Sequence, residues 1–336
     1  MNVAALSFRD LEYVVAVADH RHFGKAALAC SVSQPTLSAQ LRKFEDYIGF
    51  EIFERASRSV LVTERGGEVV SQARVILNEG RRLYDIVGSG AAVLTGTFRL
   101  GLIATLGPYV TPLMFKPLRE RYPSLNMVFT EGLAQHLLQA VEHGEIDAIL
   151  ATAPLRGPEM MELPVFNEEL VLAVPRSHSL ATVKTVKLAD IDPSELILLN
   201  EGHCLRDQTL ALFPERPKGN IQAAGVESLR QMVGAGMGIA LLPQLAVQVG
   251  ALLDDMVAYR MIRPESPQRG VSMFYRPSFS RIRDVRALRD LLRETLQENG
   301  TIPAPGKAPV KAPIESAPKS EAKRPAKAKF AAKSAP

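Results

Sequence analysis

Long apolar runs, a cysteine framework and a cluster of metal-ligating side chains are all missing from this chain, and each absence removes a class of function. No stretch approaches the roughly 18 consecutive apolar residues that a membrane-spanning helix needs. Met1 to Phe8 has neither the basic region nor the apolar run of a secretory leader. The expectation is a soluble, cytoplasmic protein with no membrane partner. Two cysteines, Cys30 and Cys204, cannot build a disulfide framework in 336 residues and suit a reducing compartment. His136 and His143 stand seven apart with no cysteine or compact carboxylate group beside them, so neither a metal nor any other cofactor is called for. Excess charge in the body of the chain is missing too. The net charge is +4, but residues 301–336 hold eight Lys or Arg against two Glu, which leaves the preceding 300 residues at −2. A role on nucleic acid must therefore rest on where cations sit, not on their total.

The chain is long enough for more than one core. Leu11, Val14, Val15 and Ala18 recur at helical spacing behind Ser7, with Asp10 placed to complete a cap. A second helix fits Phe23 to Ala29, a turn fits Cys30 to Val32, and a third helix opens at Ser33, with Pro35 in its first turn where proline costs nothing. Glu51 to Glu64 suits a hairpin wing ending at Gly66-Gly67. From Glu68 to about Val87 a long helix carries Val69, Ala73, Ile76, Leu83 and Ile86 as its apolar stripe, and Gly88 to Gly96 reads as a hinge.

Short apolar strands then alternate with helices: Phe98 to Ile103, Asn126 to Thr130, Ile146 to Ala151, Leu170 to Val174, Leu196 to Leu199, Ile239 to Leu242 and Val271 to Tyr275. Such alternation predicts an α/β domain with mainly parallel sheets. The expected divisions are 1–67, 68–96, 97–300 and a disordered Ala/Pro/Lys-rich tail over 301–336. That tail either binds DNA without sequence preference or is simply solvated; composition does not decide.

In the third helix Leu37, Leu41, Phe44 and Ile48 line one face, which turns small, polar and basic side chains the other way. A helix that enters the major groove needs this pattern, because small outer residues let the backbone approach base edges while nearby cations meet phosphates. Gln34 and Ser38 suit bases, Ser33, Pro35 and Thr36 line the approach, and Arg42 and Lys43 suit the backbone. Arg55, Ser57 and Arg58 in the wing suit a neighbouring phosphate or the minor groove. An ordinary solvated amphipathic helix would show part of the same pattern.

Glu201-Gly202-His203-Cys204-Leu205-Arg206-Asp207-Gln208 follows an apolar strand and precedes a helical stretch, which puts Cys204 near a helix N-terminus. Backbone dipoles, His203 and Arg206 would favour a thiolate there. A lone cysteine also serves as a small buried hydrophobe, and local chemistry leaves both readings open. Ser228 beside Glu227 reads as a helix cap, and Gly234 to Gly238 as a tight turn before Ile239, not a phosphate loop.

Phe23, Ala26-Ala27 and Val32-Ser33-Gln34-Pro35-Thr36-Leu37-Ser38, followed by Leu41, Glu45, Gly49 and Phe53-Glu54-Arg55, closely resemble the N-terminal signature of LysR-type transcriptional regulators. The resemblance extends over roughly residues 6–300. It implies a winged helix-turn-helix, a long linker helix that pairs subunits, and a two-lobed effector domain like the periplasmic binding proteins: an α plus α/β architecture. It further implies double-stranded promoter DNA as partner, a homodimer or homotetramer, contact with RNA polymerase and an activator role, with no enzymatic turnover. Gly202 to Gln208, Arg9 to Tyr13, Gly101 to Tyr109 and Tyr275-Arg276-Pro277 resemble the peroxide-sensing OxyR subfamily. The resemblance matches Cys204 to the peroxidatic cysteine and Thr105, His203, Arg206, Asp207 and Arg269 to polar residues around it, with hydrogen peroxide as signal. The subfamily carries a second, resolving cysteine shortly after the first, where this chain has Phe213 and a shortened loop from Pro214 to Asn220. Oxidation of Cys204 without an internal bridge is the favoured reading. A small organic ligand in the interlobe cleft and a thiol peroxidase are the alternatives.

Overall fold

The computed structural model describes residues 6–56, 59–88, 93–155, 159–213, 221–249 and 255–300. Three helices open the chain: α1 (Phe8–His20), α2 (Phe23–Ala29) and α3 (Gln34–Ile48). Ser7 and Asp10 form a reciprocal cap at the start of α1: the Asp10 amide donates to Ser7 Oγ at 3.2 Å and the Ser7 amide to the Asp10 carboxylate at 3.1 Å. Gly49 ends α3 in the left-handed conformation. The wing is the antiparallel pair β1 (Phe53–Ala56) and β2 (Ser59–Val62). Leu11, Val14, Val17, Leu37, Leu41, Ile52 and Phe53 are buried together in its core.

The long helix α4 (Glu64–Gly88) begins four residues before the sequence predicts. Thr63 supplies the reason, since its hydroxyl accepts from the Gly66 amide at 2.9 Å and so caps the first turn. Gly66 lies inside the helix at a position that only glycine fits, since a β-carbon there would lie 2.2 Å from the Ile52 carbonyl oxygen. The buried stripe of α4 is Val70, Ala73 and Leu77, one residue off the predicted Val69 and Ile76, which are half-buried beside it. Leu83 is 63% exposed.

Part of the predicted hinge lies outside the described residues, and the remainder is pinned. Leu94 is buried, its amide donates to Asp284 at 3.0 Å, and Arg281 reaches the carbonyls of Thr95 and Thr97 at 2.7 Å each.

Beyond it come β3 (Gly96–Ile103), α5 (Gly107–Arg121), β4 (Leu125–Gly132), α6 (Ala134–Glu142), β5 (Ala148–Ala153) and β6 (Met161–Pro175). Then follow β7 (Thr185–Val186), β8 (Leu198–Leu199), α7 (Cys204–Leu212), β9 (Gln222–Ala223), α8 (Val226–Gly234), β10 (Ala240–Pro243), α9 (Gln244–Val249), β11 (Val257–Ile262), β12 (Gln268–Tyr275) and α10 (Ile282–Glu298). The strands run β4-β3-β5-β12-β6-β11-β7, with β10 also on β6. This corrects the expectation of mainly parallel sheets. β3 pairs β4 and β5, β11 pairs β7 and β8 pairs β9 in parallel, but β12 is antiparallel to both β5 and β6, and β10 and β11 are antiparallel to β6, so the pairing is mixed. The 15-residue β6 is shared between two lobes. Its first part, through Glu169, pairs β12 in one lobe; from Leu170 onward it pairs β10 and β11 in the other. Two connected lobes result. Ser228 falls inside the first turn of α8, whose N-cap is Gly225, so it is not the cap. Gly236 and Gly238 have positive φ in the predicted turn.

Candidate functional site

Helix α3 is capped at its start and tied to the rest of the N-terminal core at its middle and its end, which holds its outer face in place. Ser33 caps the helix, accepting from the Thr36 amide at 3.2 Å, and its hydroxyl lies 2.7 Å from that of Thr36. Gln40 donates to the buried Asp10 at 2.9 Å, which ties α3 to α1. At the other end Glu45 is buried and accepts from the amides of Ile52 and Phe53, at 2.8 and 3.2 Å, anchoring the wing. Ser33, Gln34, Pro35, Thr36, Arg42 and Lys43 are exposed and Ser38 is half-buried. Arg55 lies on β1 opposite Val60. Ser57 and Arg58 lie outside the described residues. The arrangement is a rigid helix with a small polar N-terminal half and cations toward its C-terminal half, a shape that fits a groove between phosphates.

Cys204 is the first residue of α7, half-buried against the effector core, and His203 precedes it as N-cap with no side-chain cap. Burial pushes the His203 imidazole below the usual histidine range, opposed in part by a hydrogen bond to the backbone of Ala224. Burial thus favours the neutral imidazole at this position. Arg206 donates to the Leu199 carbonyl at 2.8 Å, fastening α7 to β8, and Asp207 is exposed one turn along. Gly202, with φ of 90°, brings this loop against the other lobe: a β-carbon there would meet Leu133 at 3.0 Å.

Thr105 lies between β3 and α5, and Arg269 sits near the start of β12; both are buried and in contact. Arg269 donates to Thr105 Oγ1 at 3.0 Å and to the Thr105 carbonyl at 3.3 Å. The same guanidinium forms an ion pair with Glu168 at 2.7 Å. Across the lobes Tyr109 on α5 donates to Glu227 on α8 at 2.6 Å, and burial pushes the Tyr109 phenol well above its usual range.

Known proteins share this arrangement. Residues 8–67 match the bacterial regulatory helix-turn-helix of the LysR family, and residues 91–297 match the LysR substrate binding domain. The chain belongs to the LysR family. This LysR-type regulator is 39% identical over 275 residues to the DNA-binding transcriptional dual regulator OxyR of Escherichia coli, covering 81% of this chain and 90% of that one. It is 37% identical to the hydrogen peroxide-inducible genes activator of Dickeya chrysanthemi, covering 87% and 96%. Among solved structures, a full-length OxyR variant from Pseudomonas aeruginosa superimposes with a TM-score of 0.72 at 31% identity, covering 85% and 97%. A hydrogen peroxide-bound OxyR variant from Corynebacterium glutamicum gives 0.61 at 28%, covering 87% and 93%. The architecture is thus the helix-turn-helix plus two-lobed regulatory domain of LysR-type proteins, and its role is regulation through DNA, not catalysis.

Within this LysR-type regulator, Thr105 meets Arg269, and His203, Cys204 and Arg206 share the start of α7. Glu168 escaped sequence reading, and Glu45 entered it only as part of the LysR-type resemblance. An acidic residue in a strand of mixed polarity looks solvated until its partner, 101 residues away, is placed opposite it. Cys30 caps α2 by its backbone and packs on the N-terminal core, and burial is the main cause that pushes its thiol up. It is the less reactive kind of cysteine. Among the described residues no helix is long and apolar enough to cross a membrane, and no three His, Cys, Asp or Glu side chains group as a metal site.

Proposed function

We propose that this LysR-type regulator responds to hydrogen peroxide by oxidation of Cys204, without an internal disulfide. The supporting observation is the pairing of a half-exposed Cys204 at the head of α7 with a buried Phe213 at its end, while the remaining cysteine, Cys30, belongs to the DNA-binding part. The Cys204 thiolate attacks one peroxide oxygen: an S–O bond forms, the O–O bond breaks, and hydroxide leaves and takes a proton. The sulfur gives up two electrons and becomes a sulfenic acid. A small cellular thiol then displaces water to form a mixed disulfide, and a second thiol restores the reduced cysteine. Thr105, His203, Arg206, Asp207 and Arg269 hold the peroxide and stabilise developing charge.

The protein acts in the cytoplasm as a homodimer or homotetramer on double-stranded promoter DNA, through Ser33, Gln34, Pro35, Thr36, Ser38, Arg42, Lys43 and the wing residues Arg55, Ser57 and Arg58. Exposed Leu83 on α4 is available for pairing with a second linker helix. The functional divisions are 1–67, 68–96, 97–300 and 301–336. Activation includes contact with RNA polymerase. Intact-mass measurement of reduced protein with near-stoichiometric peroxide and a sulfenic-acid trap tests the reading. A rapid adduct absent from Cys204→Ser is expected. No adduct, with promoter binding intact, would overturn it in favour of a regulator with a small organic ligand, and consumption of many peroxide equivalents per subunit would make it a thiol peroxidase.

A further inference from the structure

We infer that Glu168 is a positioning residue: through Arg269 it fixes Thr105 as a hydrogen-bond donor toward the reaction at Cys204. The inference rests on the peroxide reading above. Thr105 Oγ1 accepts from Arg269 at 3.0 Å, and the other end of the guanidinium grips the Thr105 carbonyl at 3.3 Å. A hydroxyl that accepts from a cation has its own proton left to donate. When a sulfur attacks peroxide, the departing oxygen gains negative charge, so a fixed donor is the useful polarity.

Arg269 cannot hold this geometry alone. Its side chain is fully buried, and a lone guanidinium there would be uncompensated. Glu168, also buried, accepts from Arg269 Nε at 2.8 Å with Oε1 and from the Leu245 amide at 2.9 Å with Oε2. Both carboxylate oxygens are thereby used, and the guanidinium fork is left a single orientation. Position adds to this. Glu168 and Arg269 are direct cross-strand partners where β6 leaves one lobe for the other, next to the switch at Glu169 and Leu170. One end of the pair fastens Thr105 in the first lobe, and the other fastens the start of α9 in the second.

The test measures two rates at Cys204 in the full-length protein carrying Cys30→Ser: oxidation by hydrogen peroxide and alkylation by iodoacetamide, which needs no donor at Thr105. Glu168→Gln is expected to slow oxidation about tenfold, less than the ~10²–10³-fold cost of deleting an oxyanion donor outright, and to leave alkylation unchanged. In a Thr105→Val background it should add nothing further. Arg269→Lys keeps the charge but loses the fork, and should reproduce the selective loss even if Glu168→Gln does not fold. Parallel falls in both rates, or an undiminished effect in the Thr105→Val background, would overturn the inference. A parent protein inert to peroxide would overturn the reading beneath it instead; a reactive parent matched by Glu168→Gln would overturn this inference alone.

Discussion

In the DNA-binding part, the side chains expected to act come largely from one continuous stretch, Ser33 to Lys43, and most are exposed. In the effector part they come from segments around 105, 168, 203 and 269, and Thr105, Glu168, His203 and Arg269 are buried. Apart from the cap residue Ser33, the first surface can be altered residue by residue without disturbing the fold, because its supports, Asp10 and Glu45, are buried behind it. In the second region function and stability share the same atoms. A surface that meets a macromolecule must already be open, whereas a site for a molecule the size of peroxide gains from a low-dielectric surrounding in which fixed dipoles count for more.

The largest expected effect that tests this contrast is at Arg269. Arg269→Met leaves Glu168 buried without its cation and should cost about 3–5 kcal/mol. A fall of roughly 10 °C in the thermal midpoint would register it, with partial recovery when Glu168→Leu is added; a midpoint within a degree or two of the parent's would erase the distinction between the two regions. Gln34→Ala, by contrast, should leave the melting curve in place. It should relax discrimination at one base pair by about 1–3 kcal/mol, read from competition binding over promoter variants, and an equal loss on all sequences would demote Gln34 to a backbone contact. Ser33→Ala removes the α3 cap and should cost about 1 kcal/mol, visible as a shifted urea midpoint with an unchanged slope. The smallest effect concerns pH. The His203 pKa is lowered on folding, so the unfolded chain binds a proton that the native protein refuses, and stability is full above the ordinary histidine pKa of about 6.5 and declines as pH falls below it. His203→Gln should flatten that decline in midpoints measured from pH 7 to pH 5; an unaltered slope would assign the acid sensitivity elsewhere.

The same contrast explains what could be read from the chain. The face of α3 was legible because helical periodicity and its cap residues are local, and Cys204 at the head of α7 was legible for the same reason. The start of α4 was not, since Gly66-Gly67 reads as a stop until Ile52 is seen pressed against Gly66. The sheet polarity was missed because the first part of β6, Met161 to Glu169, carries Glu162, Asn167, Glu168 and Glu169 and lacks a clean alternation. Arg269 and Thr105 entered only through family resemblance; nothing in their own neighbourhoods announces a contact across 164 positions.

Three contacts outside either site have a mechanical consequence. Arg74 on α4 bonds Asp19 of α1 and, at 3.2 Å, Glu145 beyond α6, while Asn78 donates to the His143 carbonyl at 3.1 Å. Helix α4 has 25 residues, and at about 1.5 Å per residue it is a rod of roughly 37 Å. The effector lobe therefore grips that rod near its midpoint, which makes it a lever: a few degrees of tilt at the turn around Gly144 become ångströms of travel at the tips, one of which carries the wing.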